Sequence, residues 1–190
     1  MTDIHLVHIK WNERMPPSDE LPQKYNKTVT LKDGSQVLLR QVREGDEKPL
    51  LNMFTTLKPE TVYNRFFKLR KPFTMDEVTK MVLVKPKEEF AIIGSPVQPS
   101  ELSVIADARY YVEEGTGSEV SIVVQDKWQL KGLGTAMLNH LIDIGKGKGI
   151  KQFFIYVLSD NVIMIHVAKK LGFKLKSQSY GITRLDLISE

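Results

Sequence analysis

The stretch from Ile122 to Thr135 constrains the fold more than any other part of the chain. It reads Ile122-Val123-Val124-Gln125-Asp126-Lys127-Trp128-Gln129-Leu130-Lys131-Gly132-Leu133-Gly134-Thr135. Residues 119–125 are a short, nearly continuous apolar run, the pattern of a strand covered on both faces. Beyond the loop, Leu133, Met137, Leu141 and Ile144 repeat at helical spacing until Gly145, Gly147 and Gly149 end the helix. A strand that passes through a glycine loop straight into a helix leaves the helix's first amides free. They point outward with the positive end of the dipole behind them. Gly132 and Gly134 put no side chain between a ligand and that backbone. Such a junction cradles a phosphate or pyrophosphate, and Lys131 adds a positive charge beside it. A tight turn without a ligand is the other reading of a glycine pair here. A Rossmann fingerprint would need a third small residue where Met137 stands, and the Gly-Lys-Ser/Thr of a Walker loop is absent.

The rest of the chain builds a sheet around this unit. Residues 29–31 and 36–42 flank the turn Lys32-Asp33-Gly34-Ser35 and predict a hairpin. Glu44-Gly45-Asp46 opens a helix with Leu50, Leu51 and Phe54 on one face. Pro59 begins a second helix, with Val62, Tyr63, Phe66 and Phe67 at core spacing and Pro72 as its stop. Residues 75–84 predict a short third helix. Strands are expected over 89–94, 102–112 and 119–125, with turns at 94–99 and at Glu114-Gly115-Thr116-Gly117. After the glycine-loop helix come a strand at 150–158, a helix at 162–171, and closing strands at 173–176 and 182–188. This order predicts an α/β (α+β) domain with a mixed, mostly antiparallel sheet and helices packed on it. Residues 1–28 read as an arm, with three prolines between Met15 and Pro22, and 29–190 as a single domain. His5 and His8 on that arm lack the carboxylate–histidine cluster a metal would need, and no metal is expected.

Composition narrows the function classes. There is no cysteine, which excludes disulfide scaffolds, thiolate zinc sites and cysteine nucleophiles and suits a cytoplasmic protein. No apolar run approaches the roughly 20 residues of a membrane span, and no signal peptide is evident. The net charge of +4 is unevenly placed. Residues 1–126 balance 17 basic against 19 acidic side chains, whereas 127–176 hold nine lysines against Asp143 and Asp160. That local excess starts at the glycine loop and suits a polyanionic ligand there, a solvated lysine-rich face being the plainer alternative.

Gln129-Leu130-Lys131-Gly132-Leu133-Gly134 resembles the Gln/Arg-x-x-Gly-x-Gly/Ala motif of the GNAT superfamily of acyl-CoA N-acyltransferases. Leu158-Ser159-Asp160-Asn161, followed by Leu171-Gly172-Phe173, is similar to that superfamily's second CoA-side motif. Four further segments resemble the catalytic domain of bacterial Pat-type protein lysine acetyltransferases. They are Lys32-Asp33-Gly34-Ser35, Val62-Tyr63-Asn64-Arg65-Phe66-Phe67, Ile105-Ala106-Asp107-Ala108-Arg109-Tyr110 and Glu119-Val120-Ser121-Ile122-Val123-Val124. The likeness runs from about Thr30 to Ile188.

The resemblance implies a GNAT-like sheet splayed between two central strands, with helices on both faces. It implies acetyl-CoA as cosubstrate, held by Ile122, Val123, Val124, Gln129, Leu130, Lys131, Gly132, Leu133, Gly134, Thr135 and Asn161. It places a general base at Glu119, an oxyanion-type backbone amide near Val123 or Val124, and Asn161 on the CoA arm. The side chains of Ile122, Val123 and Val124 read as core. Many members carry a Tyr seven residues after the Asn; here Ala168 stands there, so the acid for the leaving thiolate is unassigned, with solvent or Asn161 as the catalytic candidates. His166 reads as plain helix surface or core, and Trp128 as packing or ligand contact in equal measure. The implied reaction is direct acetyl transfer to a primary amine, with a protein lysine as acceptor. A small-amine acetyltransferase and a non-catalytic CoA-binding regulatory module are the alternatives, and nucleic-acid binding is a minor one.

Overall fold

The computed structural model describes residues 23–85, 87–97, 103–113 and 117–188. Its centre is an eight-stranded sheet in the order β1-β2-β3-β4-β5-β6-β8-β7. The strands are β1 (Lys27–Thr30), β2 (Gln36–Gln41), β3 (Glu89–Pro96), β4 (Ala106–Glu113), β5 (Gly117–Val124), β6 (Gln152–Leu158), β7 (Lys174–Ser179) and β8 (Ile182–Ile188). Helices are α1 (Glu47–Thr55), α2 (Pro59–Phe66), α3 (Met75–Val82), α4 (Leu133–Gly147) and α5 (Val162–Lys170). Every neighbouring pair is antiparallel except β5–β6, which is parallel. The mixed, mostly antiparallel sheet expected from the sequence is therefore present.

Two cores explain why the strands are apolar on both sides. On one face, Met137, Leu138 and Leu141 of α4 pack with Ile92, Val120, Phe153, Ile155 and Ala168. On the other, Leu50, Met53 and Phe54 of α1 and Val78 and Val82 of α3 pack on Ala91, Ile93 and Val123. Successive side chains of a strand alternate between these layers, so a one-residue slip would exchange the two cores.

Buried ion pairs fix how the helices join the sheet. Asp46, ahead of α1, takes Arg40 of β2 at 2.7 and 2.6 Å and also accepts the Arg43 amide at 2.9 Å. On β4, Asp107 and Arg109 pair at 2.9 Å, and Arg109 donates to the carbonyl of Met81 at the end of α3. Burial alone would lower the Arg109 pKa; Asp107 outweighs it and the net shift is upward. Thr74 and Glu77 close a reciprocal cap at the start of α3.

Three boundaries differ from the sequence reading. Helix α2 ends at Phe66, well before Pro72, because Phe67 turns into the left-handed region at φ 56°. No residue of α2 is fully buried, and Tyr63, read as core, is 42% exposed. Tyr25 and Lys27, read as arm, belong to the domain: Lys27 opens β1 and the Tyr25 ring packs edge-on against Phe90. The start of the strand read at 102, the tip of the 114–117 turn and both arm histidines lie outside the described residues. β4 begins at Ala106.

Candidate active site

The parallel pairing of β5 and β6 is confined to two rungs, Ser118 with Phe153 and Glu119 with Phe154. Beyond Glu119 the strands part, because each stays with its antiparallel neighbour. β5 remains on β4 as far as Val124, and β6 remains on β8 through Leu158. The splay opens a cleft lined by residues that include Arg65, Glu119, Ser121, Ile122, Tyr156 and Met164.

Glu119 sits at the mouth of the divergence, opposite Tyr111 of β4. Its half-buried carboxyl is pushed above the usual range by burial; Arg65 pulls it down and Glu113 adds to the rise. Burial likewise raises the Tyr111 phenol. Arg65 enters from α2 and its Nη2 donates to Ser121 Oγ at 2.8 Å. Desolvation lowers the Arg65 pKa.

The backbone of β5 is oriented by its partners. Gln125 N donates to Ile105 O on the β4 side. Amides alternate along a strand, so those of Val124 and Ile122 face the cleft while that of Val123 faces β4. The Val124 carbonyl faces the same way as its amide and accepts Gln129 Nε2 at 2.9 Å. The side chains of Val123 and Val124 are core, and Ile122 is half-buried on the cleft wall.

After β5 the chain makes a single 3-10 turn, Asp126–Trp128. Leu130 then adopts φ 61° and Gly132 φ 94°. For Leu130, 74% exposed, a left-handed backbone costs about 1 kcal/mol or more and gains no packing. The two left-handed residues turn the chain sharply enough to start α4 at Leu133. Ala136 N bonds the Gly132 carbonyl, so the earlier amides of this first turn, up to Thr135, have no carbonyl within the helix. A Cβ on Gly134 would lie 3.9 Å from Ile122 Cδ1 and Val124 Cγ2, an ordinary contact, so protein packing does not require glycine there. Leu133 turns its side chain into the core, leaving only its amide for the cradle.

Lys131 is more constrained than expected. Its Nζ lies 2.8 Å from Asp33 Oδ2 in the β1–β2 turn and 4.8 Å from the Trp128 ring centre. Its carbonyl accepts the Lys32 amide at 3.0 Å. The Lys131 ammonium above all, and Ser35 after it, hold the Asp33 carboxyl down at about 2.

Asn161 caps α5, its Oδ1 accepting Met164 N at 3.0 Å, and thereby places Met164 at the cleft. Ala168 is buried against the core and His166 is exposed. The structure thus gathers Glu119, Ile122 and the glycine loop along β5 and α4, whereas Asn161 does not line the cleft and meets it only through Met164. Sequence reasoning missed Arg65, Tyr156 and Asp126, which accepts Lys58 N and Thr61 Oγ1 and so ties α2 to the loop. The one available signal was a charged residue, Arg65, inside an aromatic helical run.

Residues 89–173 match the model of the acetyltransferase (GNAT) family. The chain is 30% identical over 162 residues to acetyltransferase Pat of Mycolicibacterium smegmatis, covering 84% of this chain and 47% of that protein. It thus spans about half the length of that relative. It is 27% identical over 146 residues to acetyltransferase PA5475 of Pseudomonas aeruginosa, covering 76% and 78%. The GNAT domain of S. lividans PAT superposes with a TM-score of 0.80 at 24% identity, covering 89% of this chain and 99% of that one. With the splayed strands and the glycine loop in the matched segment, residues 89–173 are similar to the acetyltransferase (GNAT) family, and the chain has the fold of the S. lividans PAT GNAT domain.

Proposed function

We propose that this chain is an acetyl-CoA-dependent N-acetyltransferase whose acceptor is a primary amine, a protein lysine side chain. The observation that carries the reading is one strand with two functions at its ends. β5 presents the half-buried Glu119 where the sheet opens and runs into the glycine loop of α4.

Acetyl-CoA would supply a thioester acyl group and carry about four negative charges at its nucleotide end. The first-turn amides of Leu133, Gly134 and Thr135, with the left-handed Leu130 and Gly132, suit its pyrophosphate. Lys131 is the cation beside them, and Gln129 holds the loop to the end of β5. The free edge of β5 suits the amide-bearing arm, as a sheet edge suits a peptide. The Val124 amide is the donor for a developing oxyanion.

A lysine amine has a reference pKa of about 10.4, so about one in a thousand is neutral near pH 7.4; accepting its proton is worth up to roughly 4 kcal/mol. Glu119, with its raised pKa, is the carboxylate placed to take that proton, directly or through water. The likeness to Pat-type proteins supports a protein lysine as acceptor. Incubating the protein with acetyl-CoA and a panel of proteins and polyamines, read by mass spectrometry, tests this. Acetylated lysines are expected. Tight CoA binding with no acetylation of any acceptor would favour a regulatory CoA-binding module, and polyamine-only products would favour a small-amine enzyme.

A further inference from the structure

We infer that Arg65, tethered to Ser121, is a positioning residue for Glu119 that holds its carboxylate in the cleft as the proton acceptor. The inference rests on the reading of Glu119 given above.

Three observations carry it. First, Arg65 comes from α2, a helix with no fully buried residue, yet its Nη2 reaches Ser121 Oγ on β5 at 2.8 Å. Ser121 is two residues from Glu119, on the same face of the strand, and all three line the cleft. Second, Arg65 Nε is buried without a hydrogen-bond partner, and among the described residues no carboxylate pairs with this guanidinium. A planar cation with unused donors in a low-polarity setting acts on nearby charge over longer range than an exposed one. Third, the neighbouring cation cannot substitute. Arg109 is neutralised by Asp107, which takes its Nε and Nη2, and its Nη1 is used by Met81 O.

The charged and titratable groups around Glu119 leave Arg65 as the counterweight. α2 contributes Arg65. β4 contributes Tyr111 directly opposite, Glu113 nearby, and the Asp107–Arg109 pair further along. β3 contributes Glu89, one strand beyond Tyr111. β6 contributes Tyr156 to the cleft wall and α5 contributes only the neutral Met164. Burial and Glu113 both favour the protonated carboxyl, and Arg65 opposes them. Without that opposition a half-buried carboxyl between a tyrosine and a second glutamate would hold its proton to higher pH, and the ionised fraction able to take one from an amine would fall on the acid side of the pH range. The stacking of Arg65 over the Phe66 ring, at 4.8 Å, fixes the side chain from the α2 side.

The test is a carbon-13 carboxyl titration of Glu119 followed by NMR in the wild type, Arg65→Gln, Arg65→Lys and Ser121→Ala, with Glu119→Gln assigning the signal. The midpoint is expected to rise by about one pH unit in Arg65→Gln and by less than half of that in Arg65→Lys, which keeps the charge. Ser121→Ala, which frees the guanidinium while keeping it, is expected to raise the midpoint by a smaller step and keeps the test open if Arg65→Gln fails to fold. The acid limb of the kcat profile should follow the same order. An unchanged midpoint in Arg65→Gln, equal shifts in the Gln and Lys variants, or no shift in Ser121→Ala where it is the only folded variant, would overturn the inference. Full turnover in Glu119→Gln would instead overturn the proton-acceptor reading, so the two failures are distinguishable.

Discussion

Lys131 and Asp33 meet at 2.8 Å across the gap between the glycine loop and the β1–β2 turn, the ammonium lying beside the Trp128 ring. Both side chains are about one-third exposed, so the pair is screened by solvent and leaves the ammonium free to exchange partners. A polyphosphate bound at the adjacent amides would compete with Asp33 for it. Lys131→Ala should weaken acetyl-CoA binding by about five-fold at low salt, and less at high salt. Asp33→Asn, which removes the competitor, should leave binding equal or tighter. Isothermal titration at two ionic strengths checks both.

Two glycines in α4 should respond in opposite ways. A methyl on Gly134 meets neighbours only at 3.9 Å, and Gly→Ala in a helix stabilises by roughly 0.5–1 kcal/mol. It also sits on the surface where the nucleotide end of CoA would lie. Gly134→Ala should therefore keep or raise Tm while weakening acetyl-CoA binding. A methyl on Gly145 would meet the Phe153 ring at 2.7 and 2.8 Å, inside the core. Gly145→Ala should cost about 1–3 kcal/mol and leave binding intact in the folded fraction. Thermal melts with and without acetyl-CoA separate the two.

The Asp107–Arg109 pair stabilises through completeness rather than through charge. Both side chains are about 1% exposed, and Arg109 also satisfies the Met81 carbonyl. Asp107→Ala leaves an uncompensated cation between β4 and α3 and should cost about 3–5 kcal/mol in urea unfolding. Replacing both residues by apolar ones of similar size should cost less than the single change.

Much of this could be read from the sequence because it is local. The 3.6-residue period of α4, the nearly continuous apolar run of β5 and the punctuation at Gly132 and Gly134 are properties of contiguous residues. The hairpin around Gly34 and the cap at Asn161 are equally local. What escaped were contacts between distant segments. Nothing near Lys131 announces Asp33, and nothing near Asp126 announces that it accepts the Lys58 amide and the Thr61 hydroxyl of the distant α2 segment. Arg65 was hidden by Val62, Tyr63, Phe66 and Phe67, whose spacing suggests a core face. In the structure that face is only partly covered, and the chain leaves the helix through a left-handed Phe67. The cleft itself depends on where two strands stop pairing, a tertiary outcome of β5 and β6 each following its own neighbour.

Stability and activity should oppose each other at Glu119. Its folded-state pKa is raised, with burial the largest cause. Stability linked to the protonated carboxyl is fully present below the unfolded pKa and is lost as pH rises through the folded one. Glu119→Gln does not lose it. The variant should match the wild type near pH 4 and become the more stable protein towards neutral pH, as measured by Tm across that range.

Glu119→Gln also reports on the proton acceptor itself, when turnover and acetyl-CoA affinity are measured on the same preparation across pH. With the glycine loop and the β5 edge untouched, affinity should stay within about two-fold while turnover falls roughly 10²–10⁴-fold, the range expected for loss of a general base. Turnover equal to the wild type at every pH would mean that Glu119 is not the base.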